Sequence, residues 1–233
     1  DLGADVIRVE PDGSSDEASD PAPSGDPVRA RPHSLQRWLH TNKRSVRSGV
    51  DALLTDADLV LHDGSLGQDT LQAAATRDSR PPPVVCSITP FGTVGPYAGY
   101  VAEELNLIHG SSWGFLSPGG ATDPELPPLK AAGHHATINV ASVAAAAALA
   151  AVERRRQTGV GEQIDFSIFA AAAKMTEFAP AAVSYLGVDA SRLGAKTVVP
   201  WGIFECADGL VQFICPEQKQ WESLVELMTK MYG

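Results

Sequence analysis

The chain has 233 residues, 44% hydrophobic and 20% charged, with 28 acidic against 18 basic residues and a net charge of −10. That length buries a substantial core as one large domain or two small ones. The acidity excludes a general nucleic-acid binder, which needs a basic face, but leaves room for a local basic pocket around a polyanionic small ligand. Cys86, Cys206 and Cys215 form no CxxC pair and read as buried thiols of a reducing, cytoplasmic compartment, not as a disulfide frame or zinc site. The longest apolar run, 140–152, is mostly alanine and too short to span a bilayer, so no membrane segment is expected. No signal peptide is visible.

The chain opens on Asp1-Leu2-Gly3, which reads as the end of a helix with Gly3 just past it, so the sequence reads as a fragment beginning in mid-fold. ADVIRVE at 4–10 alternates as a strand. Residues 11–33 are rich in Pro, Ser, Asp and Gly and predict a mobile loop. A short element around 35–46 carries Lys43 and Arg44. A helix is expected over 51–58, a buried strand at 58–61 (DLVL), and a second helix over 66–77. Three prolines at 81–83 break the chain before a strand at 84–88 (VVCSI). Strands alternating with helices at this spacing predict parallel βαβ units with right-handed crossovers.

A glycine- and proline-broken loop, FGTVGPYAGY at 91–100, then runs into a helix over about 103–111 that opens on Glu103 and Glu104. Gly92, Gly95 and Gly99 permit a positive φ or a close approach of backbone to a ligand. A carboxylate there lies near free backbone N–H groups. Two readings stay open: helix caps facing water, or a carboxylate nucleophile set against an acyl group. A polar Gly/Pro loop follows at 117–128. The long alanine-rich helix over 135–156 predicts a central buried element, with Arg154, Arg155 and Arg156 in its last turn and Gly159 as its stop. A strand at 162–169 runs into another alanine-rich helix, 170–186, then an irregular connector at 187–200. Strands at 203–206 and 210–215 flank Asp208-Gly209, a hairpin signal, and an amphipathic helix closes the chain at 221–232.

Five blocks in this order resemble the class III coenzyme A-transferases, the CaiB/BaiF-type family that includes formyl-CoA and carnitine CoA-transferases and α-methylacyl-CoA racemases. They are DLGADVIRVE at 1–10, Lys43-Arg44-Ser45-Val46, FGTVGPYAGY at 91–100, RRRQTGVGEQIDFSIFAA at 154–171, and the segment from Phe204 to Trp221 with its Asp-Gly hairpin. The resemblance implies an α/β fold with a Rossmann-like parallel-sheet domain and the start of a smaller second domain. The large CoA-binding domain would occupy 1–186, lacking its first strand and helix, and 187–233 would be a linker and the truncated start of the small domain. It further implies acyl-CoA and a carboxylic acid as partners, coenzyme A as the carried group, no metal, and a homodimer whose protomers interlock.

In that family an aspartate just after the FGxxGPY loop attacks the thioester, forming a mixed anhydride and then an enzyme–CoA thioester. Its place falls here on Glu104, which offers the same group on a stem one methylene longer. The resemblance makes Glu104 the candidate nucleophile. Gly92, Gly95 and Tyr97 would shape the thioester pocket, with Arg8, Lys43 and Arg44 near the CoA. The racemases' His–Asp combination is missing, with Glu103 at the histidine's place and Thr137 near that of a later aspartate, which disfavours racemisation. The family's asparagine–arginine turn is here His62-Asp63-Gly64-Ser65.

Other side chains read more plainly. His134-His135 lack a third ligand at zinc-like spacing and suit a cap or a polar pocket lining. His109 would meet an acyl group only if its helix faces the cleft. Ser117-Pro118-Gly119-Gly120 reads as a surface turn, Ser111 and Ser112 are not read as the nucleophile of a serine hydrolase, and no GxGxxG fingerprint follows the first strand. The rival reading is a non-catalytic, CoA-binding or structural half of a larger transferase assembly.

Overall fold

In the computed structural model, Ile7–Val9 (β1) pairs in parallel with Arg44–Val46 (β2), with Ile7 opposite Arg44 and Val9 opposite Val46. Two further backbone bonds extend the ladder, from Arg44 N–H to Val6 O and from Glu10 N–H to Val46 O, each 2.9 Å. The structure describes residues 3–10, 35, 37–76, 80–117, 123, 125–176, 178–192 and 200–232. The expected loop at 11–33, the two residues ahead of Gly3 and the turn after Ser117 lie outside them. Between β2 and the hairpin come helix α1 (Val50–Asp56), strand β3 (Leu59–His62), helix α2 (Gln68–Ala75) and strand β4 (Val84–Thr89). Helix α3 (Glu104–Gly110), helix α4 (His135–Thr158), strand β5 (Gln163–Ser167) and helices α5 (Ile168–Lys174) and α6 (Phe178–Ala181) follow. Strands β6 (Trp201–Cys206) and β7 (Gly209–Ile214) and helix α7 (Gln218–Tyr232) complete an α/β chain in which β3, β4 and β5 form a sheet in that order.

The chain divides into two compact units. The first comprises Asp1–Val60, Leu66–Val85 and Val152–Glu162. Its core is Leu54, Val60, Leu71, Ala74 and Val85, with Val50, Ala57 and Leu66 packed against them. Burying each Leu or Val there contributes about 1.5–3 kcal/mol. The side chain of Arg155, only 7% exposed, ties this unit together. Its guanidinium donates to Pro82 O (2.5 Å), Pro81 O (2.8 Å) and Asp58 Oδ1 (2.8 Å). The three prolines supply carbonyls but no N–H groups, so the arginine satisfies acceptors that have no ladder partner of their own.

The second unit comprises Leu61–Ser65, Cys86–Ala151 and Gln163–Gly233. Here α3 packs against α5, with Gly110 close to the Phe169 ring. The antiparallel β6–β7 hairpin turns one residue earlier than the Asp-Gly signal suggests. Cys206 pairs with Gly209, so Ala207 and Asp208 form the two-residue loop and Gly209 opens β7. Neither loop residue takes a positive φ, so the type I′ geometry that favours Asp-Gly is not used.

Two elements depart from expectation. Helix α4 is not buried on every face. Ala136, Val140, Ala144, Ala148 and Ala151 form one buried stripe at helical spacing, while Ile138, Val143 and Leu149 are exposed. By length and composition α4 is long and apolar enough to cross a membrane, although no single uninterrupted apolar run is. Its stripe buried inside the protein is the pattern of a helix packed on protein. The expected helix at 170–186 is broken into α5, α6 and a π-helical turn at Ala182–Leu186. Pro180, with no N–H to give, lies within the short α6, where a continuous α-helix cannot bond normally.

Candidate functional site

Helix α3 separates the two adjacent glutamates. Glu103 is its N-cap, with an extended backbone whose N–H donates to Asn106 Oδ1 at 3.0 Å in a capping box. Glu104 starts the helix, and its side chain is only 12% exposed. The Thr137 hydroxyl, in the first turn of α4, donates to Glu104 Oε2 at 2.6 Å. His134 Nδ1 lies 3.3 Å from the same oxygen, and Lys130 Nζ lies 3.6 Å from Oε1. Oε1 is buried and accepts no hydrogen bond. Burial pushes the Glu104 pKa up, but the Thr137 hydroxyl, the Lys130 ammonium and the His134 ring together outweigh it. The carboxyl therefore titrates below its ordinary value. Of the two carboxylates, one is a cap and the other is an enclosed anion at neutral pH.

The glycine loop is anchored from β5. Asp165 accepts the Thr93 backbone N–H at 2.9 and 3.0 Å and the Thr93 hydroxyl at 2.8 Å. Gly92, at φ +88°, lets the chain turn there. A Cβ at this position would stand 3.4 Å from Asp165 Oδ2. Gly95 also takes a positive φ, +102°, whereas Gly99 does not. Phe91 gathers Tyr97, Tyr100 and Phe169 around it, with ring centroids 5.5–6.4 Å away. Tyr97 keeps an exposed face. Replacing Asp165 with Ala is expected to speed amide exchange at Thr93 by about tenfold or more, the loss of one charge-assisted hydrogen bond. Unchanged exchange at Thr93 would show that the carboxylate does not hold the loop.

The candidate cations Arg8, Lys43 and Arg44 lie in the first unit. Arg8 donates to Glu10 Oε1 at 3.1 Å, a buried carboxylate that also accepts from Ser45 at 2.6 Å and faces Arg47 at 3.5 Å. The Ser45 hydroxyl first, then Arg8 and Arg47, hold the Glu10 carboxyl below its ordinary pKa against the opposing effect of desolvation. Arg44 pairs with Asp5 through Nε and Nη2, donating to Oδ1 and Oδ2. Lys43 lines a pocket of about 310 Å³ with Gly3, Ala4, Asp5, Val6, Thr41 and Asn42. The His62–Ser65 turn is closed on itself, with the Ser65 N–H donating to Asp63 Oδ1 at 3.1 Å and the Gly64 N–H to His62 Nδ1 at 3.1 Å.

Lys130 and Asp165 are the site residues that sequence reading did not single out. Asp165 was legible only as part of the block at 154–171. Nothing local marks Lys130, because the fold and not the spacing brings it to Glu104. His134, read as a cap or pocket lining, stands beside Glu104. Thr137 donates a hydrogen bond to the Glu104 carboxylate. His109 has the chain at Gly114 packed against its ring, where an added Cβ would stand 2.5 Å from Nδ1. Among the described residues no group of three or more His, Cys, Asp or Glu side chains forms a metal-binding cluster.

A family model, CoA-transferase family III, matches residues 1–231. The chain is 31% identical over 238 residues to the probable CoA-transferase Rv1866 of Mycobacterium tuberculosis, covering 96% of this chain and 29% of that protein. It is 28% identical over 247 residues to the succinate–glutarate CoA-transferase of Agrobacterium fabrum, covering 98% and 60%. The succinyl-CoA:mesaconate CoA-transferase of Haloarcula hispanica is 26% identical, with 99% and 62% covered. This chain thus spans less than two thirds of each of these relatives. Among solved structures, a CaiB/BaiF family protein from Brucella suis superposes with a TM-score of 0.67 at 22% identity, covering 98% of this chain and 63% of that one. Rv3272 from M. tuberculosis gives 0.67 at 22% identity, covering 97% and 60%. At that identity these two show the fold. With the family model matched from residue 1 to residue 231, the chain belongs to CoA-transferase family III.

Proposed function

We propose that this protein moves coenzyme A between an acyl-CoA and a carboxylic acid, with Glu104 as the covalent carrier. The observation that carries the reading is the enclosed, ionised Glu104 at the end of a glycine loop. A Glu104 oxygen attacks the thioester carbon, the C–S bond breaks, and CoA leaves as its thiolate from a mixed anhydride. The thiolate then attacks the glutamyl carbonyl, releasing the first acid and leaving a Glu104–CoA thioester. The acceptor carboxylate attacks that thioester and collects CoA through the same two steps in reverse order. In this reading the backbone of Gly92 and Gly95 and the Tyr97 ring line the thioester pocket. Arg8, Lys43 and Arg44 serve the CoA phosphates, which cations beside a loop suit.

The names of the relatives, which include succinate, glutarate and mesaconate, support small dicarboxylic acids as the acid class. A division at 186/187 into a large CoA-binding domain and the start of a small one belongs to the same proposal. So do a cytoplasmic location and an interlocked homodimer. The test is to incubate the intact protein with succinyl-CoA and isotopically labelled glutarate and to look for labelled glutaryl-CoA. Its formation supports transfer. Binding of succinyl-CoA with no exchange, repeated with further acids, favours the second reading, a non-catalytic CoA-binding half of a larger assembly. Glu104, standing where the resemblance implies an aspartate, keeps that second reading open.

A further inference from the structure

The two oxygens of the Glu104 carboxylate are not equivalent. Oε2 is held by the Thr137 hydroxyl at 2.6 Å and by His134 at 3.3 Å. Oε1 is enclosed, accepts no hydrogen bond, and has the Lys130 ammonium as its nearest charge at 3.6 Å. Lys130 is itself fixed, because its ammonium donates to Gly133 O at 2.5 Å and to Ala131 O at 3.3 Å. That leaves the third N–H of the ammonium for whatever lies toward Glu104. Glu103, the other acid nearby, is engaged as the cap of α3.

We infer that Thr137 and Lys130 divide the work at Glu104: Thr137 is a positioning residue that pins Oε2, so that Oε1 attacks, and Lys130 is a catalytic residue that receives the charge. This rests on Glu104 being the nucleophile. Lys130 Nζ stands 3.6 Å from Oε1, so a thioester carbon brought to Oε1 sets its carbonyl oxygen beside the same ammonium. As the Oε1–carbon bond forms, the carbonyl electron pair moves onto that oxygen, and a fixed cation stabilises the oxyanion. Collapse restores the carbonyl and expels the CoA thiolate, which remains unprotonated as the nucleophile of the next step. In the resting state the same two residues keep Glu104 ionised, consistent with its lowered pKa.

The test measures three things in the intact protein: single-turnover formation of the Glu104 adduct with succinyl-CoA, kcat, and the acid limb of kcat/KM. Lys130→Met and Thr137→Val are each expected to slow adduct formation and kcat by about tenfold to a hundredfold, the range for losing a hydrogen bond to a charged group. Both should move the acid limb to higher pH, because each removes an interaction that favours the ionised carboxylate. Lys130→Arg and Thr137→Ser restore the charge and the hydroxyl, and should recover most of the rate and the wild-type limb. A purely structural role would lower the melting temperature without moving the limb. If the Met and Val variants form the Glu104 adduct at the wild-type rate with an unmoved limb, the division of labour is overturned while Glu104 stands. If the unaltered protein forms no Glu104 adduct, the nucleophile reading falls and this inference falls with it.

Discussion

Glu104→Gln is expected to lower kcat by roughly a thousandfold or more, the scale seen when a covalent nucleophile is removed, while the protein still folds. The amide is nearly isosteric, and its oxygen can still accept from Thr137, whose donor lies 2.6 Å from Oε2 in the acid. What is lost is the anion facing Lys130 at 3.6 Å. In a chain of this size about 1 kcal/mol of lost stability lowers Tm by only about 2–4 °C. Activity and stability should therefore separate cleanly. A Gln variant that keeps a tenth of wild-type turnover would mean that Glu104 does not carry the acyl group.

The pH dependence follows from the same contacts. The folded-state pKa of Glu104 is depressed, so its ionisation contributes stability that is present above the unfolded value and lost as pH falls through the folded value. Activity should fall over the same acid range, since only the carboxylate attacks. Titrating kcat/KM should give an acid limb below the ordinary glutamate range, and an acid limb above that range would contradict the contacts described. Glu104→Asp is instructive in the same way. The resemblance would put an aspartate here, but the contacts of Glu104 argue that Asp loses activity. The carboxylate reaches Thr137 and Lys130 with the longer stem, and shortening it by one methylene withdraws it by roughly 1.5 Å. Displacement on that scale costs about a hundredfold, so turnover should fall.

Gly161→Ala carries the largest expected effect on folding. A Cβ on Gly161 would stand 2.5 Å from Pro83 O and 2.6 Å from Pro82 O, both backbone atoms. Those carbonyls have little freedom to retreat, because Pro82 O accepts from Arg155 at 2.5 Å and the neighbouring Val85 N–H donates to Glu162 O at 2.8 Å. Overpacking against fixed backbone costs about 3 kcal/mol, or about 10 °C in Tm. Gly99→Ala is the matched control, since an added Cβ there meets nothing within 4 Å and the residue has no positive φ. Equal Tm values for the two variants would show that Gly161 is not pressed against the proline run.

These positions show what the sequence could carry and what it could not. The strand–helix order was legible because each element has its own local period: the apolar run of β4, the acidic opening of α3 and the Gly159 stop after α4 are all written in adjacent residues. Burial of α4 was not legible. Alanine on every face is compatible with burial on any, and only packing chooses the stripe from Ala136 to Ala151. The hairpin slipped by one residue because Asp-Gly signals a tight turn without fixing which residue opens the strand. At the candidate site the loop and the candidate nucleophile were visible as a block, but the contacts that set the chemistry of Glu104 were not. Thr137 lies 33 positions away and is brought in by the start of α4, a long-range contact that no spacing rule anticipates. The block at 154–171 was read as a marker of family, and the structure gives several of its residues physical tasks, beyond Arg155 and Phe169. Gly161 admits the proline run, and Asp165 ties down Thr93.

The central claim is that Glu104 becomes covalently linked to CoA, and trapping measures it directly. The intact protein is incubated with succinyl-CoA and quenched with hydroxylamine, and its peptides are sequenced by mass spectrometry. The account expects a hydroxamate on Glu104, on no other carboxylate, and none in the Glu104→Gln variant. A hydroxamate on a different residue, or none on Glu104 while succinyl-CoA is bound and exchanged, would contradict it.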